Sequence, residues 1–178
     1  WNDFQNKVNS DLNDNLGNLL HRVLSFTSKR FNSMVPKCDD LFDEDKNFIE
    51  KVNNLCKEYH NNMEINKIKR ALECVMKVSQ TGNQYIVIEE PWKIIKTDKK
   101  RCGTIMNILV HLIGLLDNLL YPFMPRISSN IRSFIGNYNY VEPYFKLGLL
   151  DDNRISMPLI LFSKITDEQI SDFKKRFG

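Results

Sequence analysis

Residues 99–121 constrain the fold most, because they predict a helix with almost no polar face. Its apolar side chains occupy nearly every helical position: Ile105, Met106, Ile108, Leu109, Leu112, Ile113, Leu115, Leu116, Leu119 and Leu120. A helix that is apolar nearly all round lies at the centre of a protein or in a membrane. Asn107, His111 and Asp117 divide it into apolar runs far shorter than the roughly 20 residues that span a bilayer. We therefore expect a central helix with neighbours on all sides.

Five further stretches have helical periodicity and complete the predicted bundle. They are residues 4–31, 44–59, 65–88, 127–134 and a stretch after residue 166. Asp43 is the predicted N-cap of the second helix, and Pro91 and Gly136 end the third and the fifth. Thr166 with Gln169 forms a predicted capping box that starts the last helix. The expected fold is an all-α bundle of five to six helices.

Residues 137–163 lack helical periodicity and contain Pro143, Pro158 and the apolar run PLILF. We expect this segment to be irregular and the apolar run to lie in a groove of the bundle. The predicted division is a helical bundle over residues 1–136 and an extension over residues 137–178 that packs back on it.

The composition is that of a single globular domain. The chain has 178 residues, 42% hydrophobic and 26% charged, which suffices for one hydrophobic core. No signal peptide opens the chain. It starts at Trp1 within a helical pattern and has no initiator Met, so we expect a piece cut from a larger protein.

The cysteines and the absent motifs speak against metal binding and catalysis. Cys38, Cys56, Cys74 and Cys102 are 18, 18 and 28 residues apart, without a CxxC pair. This spacing favours buried free thiols in a reducing, cytoplasmic compartment over a zinc site. The sequence contains no Gly-rich phosphate loop, no GxSxG and no HExxH. We therefore expect a binding module with no catalytic site and no metal.

A second, polar stripe runs along the first predicted helix. Its members are Asp11, Asn15, Asn18 and Arg22, at spacings of four, three and four. Amide and guanidinium groups side by side supply the donors and acceptors that recognition of a base edge requires. An Asn-rich solvated face also arises from compositional bias, so the stripe alone leaves both interpretations open.

The sequence EEPWKIIKTDKKR, residues 89–101, predicts a sharp junction between two helices. Proline fixes its own φ and disfavours helical geometry at Glu90, so Trp92 lies at the junction. The indole is either a buried wedge or a platform for an unpaired base, a stacking contact worth roughly 1 to 3 kcal/mol. Five cations are expected to crowd round it: Lys93, Lys96, Lys99, Lys100 and Arg101. The surrounding residues 61–110 carry nine basic and five acidic side chains, which favours a polyanionic partner.

The order of four motifs resembles the anticodon-binding helical domain of methionyl-tRNA synthetases. They are NSDLNDNLGNLLHR at 9–22 followed by Val35 and Pro36, NQYIVIEEPWKIIK at 83–96, Arg101 with Thr104, and LLYPFMP at 119–125. The closing LFSKITDEQISDFKKRF, residues 161–177, is similar to the end of the core enzyme in cytosolic-type members. The resemblance covers most of the chain, from residue 9 to residue 177.

This resemblance implies a class I synthetase anticodon-binding bundle that grips the anticodon loop of methionine tRNAs and reads CAU. Carried over residue by residue, it puts Asn18 and Arg22 at base-reading positions and Pro91 with Trp92 at an anticodon-contacting pair. The family activates methionine with ATP through HIGH-type and KMSKS-type motifs, and neither occurs here. The expected fragment therefore binds tRNA without charging it and carries no cofactor. Its expected partners are methionine tRNA and the catalytic domain of the parent ligase, with no DNA and no membrane.

A non-catalytic helical module for protein interaction or scaffolding is the alternative interpretation. In such a module the Pro91–Trp92 pair merely joins two helices. Exposure of Trp92, and its position relative to Asn18 and Arg22, distinguish the two interpretations.

Overall fold

A computed structural model describes residues 1–136, 138 and 144–178. Its helices are α1 Asn2–Lys7, a π-helical segment Val8–Gly17, α2 Asn18–Arg30, α3 Asp43–Glu64, α4 Ile68–Glu89, α5 Pro91–Ile94, α6 Lys99–Leu120, α7 Pro125–Ile135 and α8 Asp167–Phe177. The first three are continuous and are called the first rod below, and α5 is a single turn. The described residues thus form six longer helices, and their β pairing is confined to an isolated bridge between Met34 and Arg154. The predicted all-α bundle is confirmed.

Helix α6 is the centre of the bundle, as its sequence predicts. Every residue in 101–117 is buried, and helices α2, α4, α5 and α7 pack against it. By length and composition α6 could cross a membrane, but 94% of its most apolar window is buried inside the protein. Its apolar surface is therefore accounted for by the helices around it.

The few polar residues of α6 bind segments that lie outside it. Asn107 donates from Nδ2 to the carbonyl oxygen of Pro36 at 2.6 Å. The Nε2 atom of His111 accepts the backbone N–H of Leu150 at 2.9 Å. The buried Asp117 carboxylate accepts hydrogen bonds from α7. The central helix thus holds both a neighbouring helix and irregular chain at Pro36 and Leu150 that has no helical hydrogen bonds of its own.

A buried ion pair connects three helices near the start of α6. Arg101 donates from Nη2 to Asp45 of α3 at 2.9 Å and to Glu89 of α4 at 2.7 Å. Asp45 also accepts the Tyr85 hydroxyl and, at 2.8 Å, the N–H of Phe42. Burial raises the pKa of Asp45, but the hydrogen bonds from Arg101 and Tyr85 outweigh burial and hold the pKa below its usual value. The pair is therefore ionised in the folded protein at neutral pH.

The start and end of α3 differ from the prediction. Phe42, not Asp43, occupies the N-cap position, and the Asp45 carboxylate accepts the Phe42 N–H. The sequence favours Asp43 because an aspartate before an apolar stripe is the usual cap, whereas Asp45 serves both the cap and Arg101. Helix α3 also continues to Glu64, beyond the predicted residue 59.

The C-terminal predictions are confirmed in part. The capping box of Thr166 and Gln169 is present. The run PLILF does not lie wholly in a groove: Leu161 and Phe162 pack against the core, whereas Leu159 and Ile160 are 74% and 83% exposed. The predicted irregularity at Pro143 falls outside the described residues.

The chain after residue 160 lies along the first rod. Ile165 exchanges two hydrogen bonds with the Asn9 side chain, at 2.8 and 3.0 Å. Lys164 pairs with Asp14 at 3.0 Å.

Three predicted free thiols are buried, at Cys56, Cys74 and Cys102, whereas Cys38 is half-buried.

Replacing Asp45 with Asn should lower the free energy of unfolding by about 3 kcal/mol, because Arg101 loses its bidentate partner in a buried site. Denaturant titration followed by circular dichroism measures the loss. Asp39→Asn is the matched control, since Asp39 pairs with Lys100 at 2.8 Å on the surface, where water screens the pair. Equal midpoints for the two variants would contradict a stabilising role for the buried pair.

Stability should also fall as the pH drops below about 6.5, the usual histidine pKa, because of His111. Its Nδ1 hydrogen donates to the Asn107 carbonyl at 2.8 Å, which leaves Nε2 to accept the Leu150 N–H. Burial lowers the pKa of His111, although the bond to Asn107 and the charge of Asp151 oppose the shift. The unfolded chain therefore takes up the proton first, so this stability is complete above the unfolded pKa and is lost as the pH falls toward the folded pKa.

Unfolding free energies at about pH 7.5 and pH 5.5 measure this dependence. His111→Gln should be less stable at the higher pH and should lose less between the two. His21→Gln, at an exposed histidine, should behave as the parent chain. If the His111→Gln variant keeps the full pH dependence, the buried imidazole is not its source.

Candidate nucleic-acid interface

A crevice of about 500 Å³ lies between the first rod and α4. We call it the polar crevice. It is lined by Ser10, Asp11, Asp14, Asn15, Asn18 and Arg22 of the first rod and by Met76, Lys77, Gln80, Asn83 and Val87 of α4. All four members of the predicted polar stripe therefore open onto one concave surface.

The stripe spans the end of the π-helical segment. π-Helical segments are rare in proteins, and those that occur are often found at functional sites. Gly17 ends the segment, and a Cβ atom there would lie 3.2 Å from the Leu12 carbonyl oxygen and 3.3 Å from the Phe162 ring. From Asn18 onward the rod is α-helical, so Asn18 and Arg22 are one turn apart on the same face.

The polar side chains of the crevice fall into two groups. Asn15 donates to the Met76 carbonyl at 2.9 Å, and Asn83 donates to the Asn15 carbonyl at 2.9 Å and to its side-chain oxygen at 3.1 Å. These bonds fasten the first rod to α4. In the described part of the chain no hydrogen bond engages the side chain of Asn18 or Arg22. The first group is structural, and the second is available to a ligand.

The chain turns sharply at the end of α4. Glu90 has φ 42° and ψ 55°, left-handed geometry that costs a non-glycine residue about 1–2 kcal/mol. Pro91 follows as the first residue of α5 and is buried. Its carbonyl oxygen accepts the Cys102 thiol at 3.5 Å, and burial raises the pKa of that thiol to about 11, so the donor proton is retained. We call Glu90 and Pro91 the elbow. Cys102 of α6 hydrogen-bonds to it, and the residue that follows it is Trp92.

Trp92 is 38% exposed and stands against Arg22. The Arg22 Cζ atom lies 5.6 Å from the centroid of the indole ring, which is cation–π distance. The indole is thus not buried as a wedge between helices. Asn18, Arg22 and Trp92 lie on the same side of the molecule, although 70 residues separate the arginine from the tryptophan in sequence.

The predicted crowding of five cations round Trp92 is wrong for Arg101. Arg101 points inward to Asp45 and Glu89. Three of the lysines have contacts with other residues: Lys93 pairs with Glu90 at 2.8 Å, Lys100 pairs with Asp39 at 2.8 Å, and Lys99 lies 6.0 Å from the Phe31 ring centroid. Arg22 of α2, which is not among the five, contacts the indole.

The α4 wall of the crevice is absent from the site predicted from the sequence. Met76, Gln80, Asn83 and Val87 recur at spacings of three and four, so one face of α4 faces the first rod. The spacing is visible in the sequence, but it runs beside the apolar stripe that marks the inner face of α4. Only the neighbouring rod distinguishes the crevice wall from a solvated surface.

The chain is similar in sequence to methionine–tRNA ligases. A sequence model described as the anticodon binding domain of methionyl tRNA ligase matches residues 35–178. The chain is 36% identical over 183 residues to the cytoplasmic methionine–tRNA ligase of Caenorhabditis elegans, covering 100% of this chain and 20% of that protein. It is 35% identical over 173 residues to the methionine–tRNA ligase of Pyrococcus abyssi, covering 97% of this chain and 24% of that protein.

A solved structure has the same fold. The crystal structure of free-state Mycobacterium tuberculosis methionyl-tRNA synthetase matches with a TM-score of 0.80 and 21% identity, over 91% of this chain and 34% of that one. The chain spans about a fifth of the length of the cytoplasmic relatives it matches.

Proposed function

Because the chain belongs to the family of anticodon-binding domains of methionyl-tRNA ligases, we propose that it binds the anticodon loop of methionine tRNAs and reads CAU at the polar crevice. The observation that carries the proposal is the contact between Arg22 and the exposed indole of Trp92, one helical turn from Asn18. Unpaired bases of an RNA loop are recognised by stacking on aromatic rings and by hydrogen bonds to their edges. Both kinds of group meet here.

The proposed roles follow from the chemistry of each side chain. Trp92 stacks on one unpaired base, a contact that tolerates any base. Arg22 and Asn18 read base edges, since a guanidinium offers only donors and an amide offers donors and an acceptor. Pro91 is buried, so its part in the site is to fix where the indole stands. Cations beside the elbow, Lys93 among them, favour the approach of the phosphate backbone.

We further propose that the chain works within a longer ATP-dependent methionine–tRNA ligase in the cytoplasm. The cytoplasmic relatives are named methionine–tRNA ligases, and this chain spans about a fifth of their length. ATP and methionine would then be handled by a catalytic domain outside this chain. Within the chain we propose residues 1–136 as the tRNA-binding bundle and residues 137–178 as an extension on it, supported by the contacts of Lys164 and Ile165 with the first rod.

Trp92→Ala should weaken binding of a methionine-tRNA anticodon stem-loop by roughly 1 to 3 kcal/mol, because one base loses its stacking partner. Fluorescence anisotropy at fixed salt measures the affinity, and circular dichroism checks that the helices persist. Tyr121→Ala is the matched control: Tyr121 is also an exposed aromatic residue, at the other end of α6, and its loss should leave affinity unchanged. A Trp92→Ala chain that unfolds would favour the scaffold interpretation.

Arg22→Ala should reduce discrimination between anticodons more than it reduces binding to RNA in general. A guanidinium that reads a base edge contributes about 1–3 kcal/mol of discrimination. The measurement compares the CAU stem-loop with one altered at the first anticodon base. Arg126→Ala, which removes an exposed arginine of α7, should leave the ratio of affinities intact. Equal losses of Arg22→Ala on both loops would reduce Arg22 to a phosphate contact.

A further inference from the structure

The C-terminal extension reaches the rim of the polar crevice through Lys164. We propose that Lys164 is part of the RNA-binding site: it pairs with Asp14 and so removes the repulsion between that carboxylate and the phosphate backbone of a bound loop. The inference rests on the proposed function and goes beyond it, because it makes the extension a part of the binding surface. Lys164 is a positioning residue that acts on RNA through the charge of Asp14 and affects all anticodon sequences alike.

The two walls of the crevice together carry no net charge. Their lining contains two cations, Arg22 and Lys77, and two carboxylates, Asp11 and Asp14. Binding of RNA draws on an excess of positive charge, since the phosphates of the backbone are negative. That excess therefore depends on a cation from outside the two walls.

Lys164 supplies a cation of this kind. Its Nζ atom lies 3.0 Å from a carboxylate oxygen of Asp14, which is exposed and lines the crevice. The hydrogen bond from Lys164 is the main cause that lowers the pKa of Asp14, and a bond from Asn13 at 2.7 Å adds to it, so Asp14 is ionised at neutral pH. Without Lys164 the crevice would present an uncompensated negative charge four residues before Asn18.

The neighbours of Lys164 on both sides fix it to the first rod. Ile165, the next residue, exchanges two hydrogen bonds with the Asn9 side chain. Phe162, two residues earlier, packs against the core, and a Cβ atom at Gly17 would lie 3.3 Å from its ring. The backbone of Lys164 is therefore ordered before RNA arrives, which lowers the entropic cost of holding its ammonium group at the crevice.

A purely structural role does not account for the pair. Both side chains are more than half exposed, 60% for Lys164 and 54% for Asp14. Exposed ion pairs contribute little to the free energy of unfolding, because water and salt screen them. Ile165 and Phe162 already join the extension to the first rod. We therefore expect the pair to affect the charge of the crevice more than the stability of the fold.

RNA affinity at two salt concentrations tests the role of Lys164. Lys164→Ala should bind a CAU anticodon stem-loop about three- to tenfold more weakly at about 50 mM salt, because the unmasked carboxylate repels phosphate, and the loss should shrink at about 200 mM salt. The loss should be the same for a loop altered at the first anticodon base. Fluorescence anisotropy measures the affinities, and circular dichroism should show the unfolding midpoint of the parent chain.

A second variant and a matched control separate the pair from the overall charge. Lys164→Ala combined with Asp14→Asn should regain the affinity of the parent chain, because no carboxylate is left to mask. Lys174→Ala removes the same charge from the same extension. Lys174 donates to Asn2 at 3.1 Å and lines a different cavity, so its loss should leave the affinity unchanged.

Three results would overturn the inference: Lys164→Ala binds as the parent chain does, Asp14→Asn fails to restore the affinity, or Lys174→Ala loses as much as Lys164→Ala. An unfolding midpoint that falls together with the affinity would make the pair structural and would overturn it as well. If the parent chain fails to distinguish CAU from a loop altered at its first base, the proposed function itself fails, a separate outcome.

Discussion

The placement of the exposed indole depends on one buried cation, Arg101. Its guanidinium binds Asp45 at the start of α3 and Glu89 at the last residue of α4. The next residue after Glu89 adopts left-handed geometry, and the chain then turns through α5 back to α6. Three helices are thus joined at the point from which Trp92 projects. A neutral packing of the same helices would leave the end of α4, and so the elbow, with fewer constraints.

The polar crevice combines amides that are fixed by hydrogen bonds with groups that are free, an arrangement that suits the proposed recognition of RNA. The side chains of Asn15 and Asn83 form hydrogen bonds that join the first rod to α4. Their ordering is complete before any ligand arrives, so the free groups Asn18 and Arg22 sit on a preformed surface. Binding then orders only a few side chains, which lowers its entropic cost. A crevice with a loose floor would lose part of that advantage.

Local signals predict the fold well, whereas long-range pairs do not follow from them. The apolar pattern of α6 and the capping box at Thr166 are read within a few residues and are confirmed. Arg101 is misassigned to a surface cluster because its charge and its neighbours Lys99 and Lys100 are visible in the sequence. Its partner Asp45 is 56 residues away and follows a helix start that also needs a cap. A buried ion pair is therefore recognised only once two helices are known to meet.

The polar crevice shows the same dependence on long-range contacts: its first-rod wall is predictable from the sequence, and its α4 wall is not. The spacing of Asn15, Asn18 and Arg22 predicts that they share a helix face. It does not predict that the Asn15 side chain donates a hydrogen bond to the backbone of α4. Nor does any local pattern mark Gln80 as facing the first rod. The sequence shows every hydrogen-bond donor and acceptor of the chain. It does not show which of them bond to each other in the folded protein. The donors and acceptors that remain free, on a surface that the bonded ones hold rigid, are the candidates for the proposed contacts with a nucleotide.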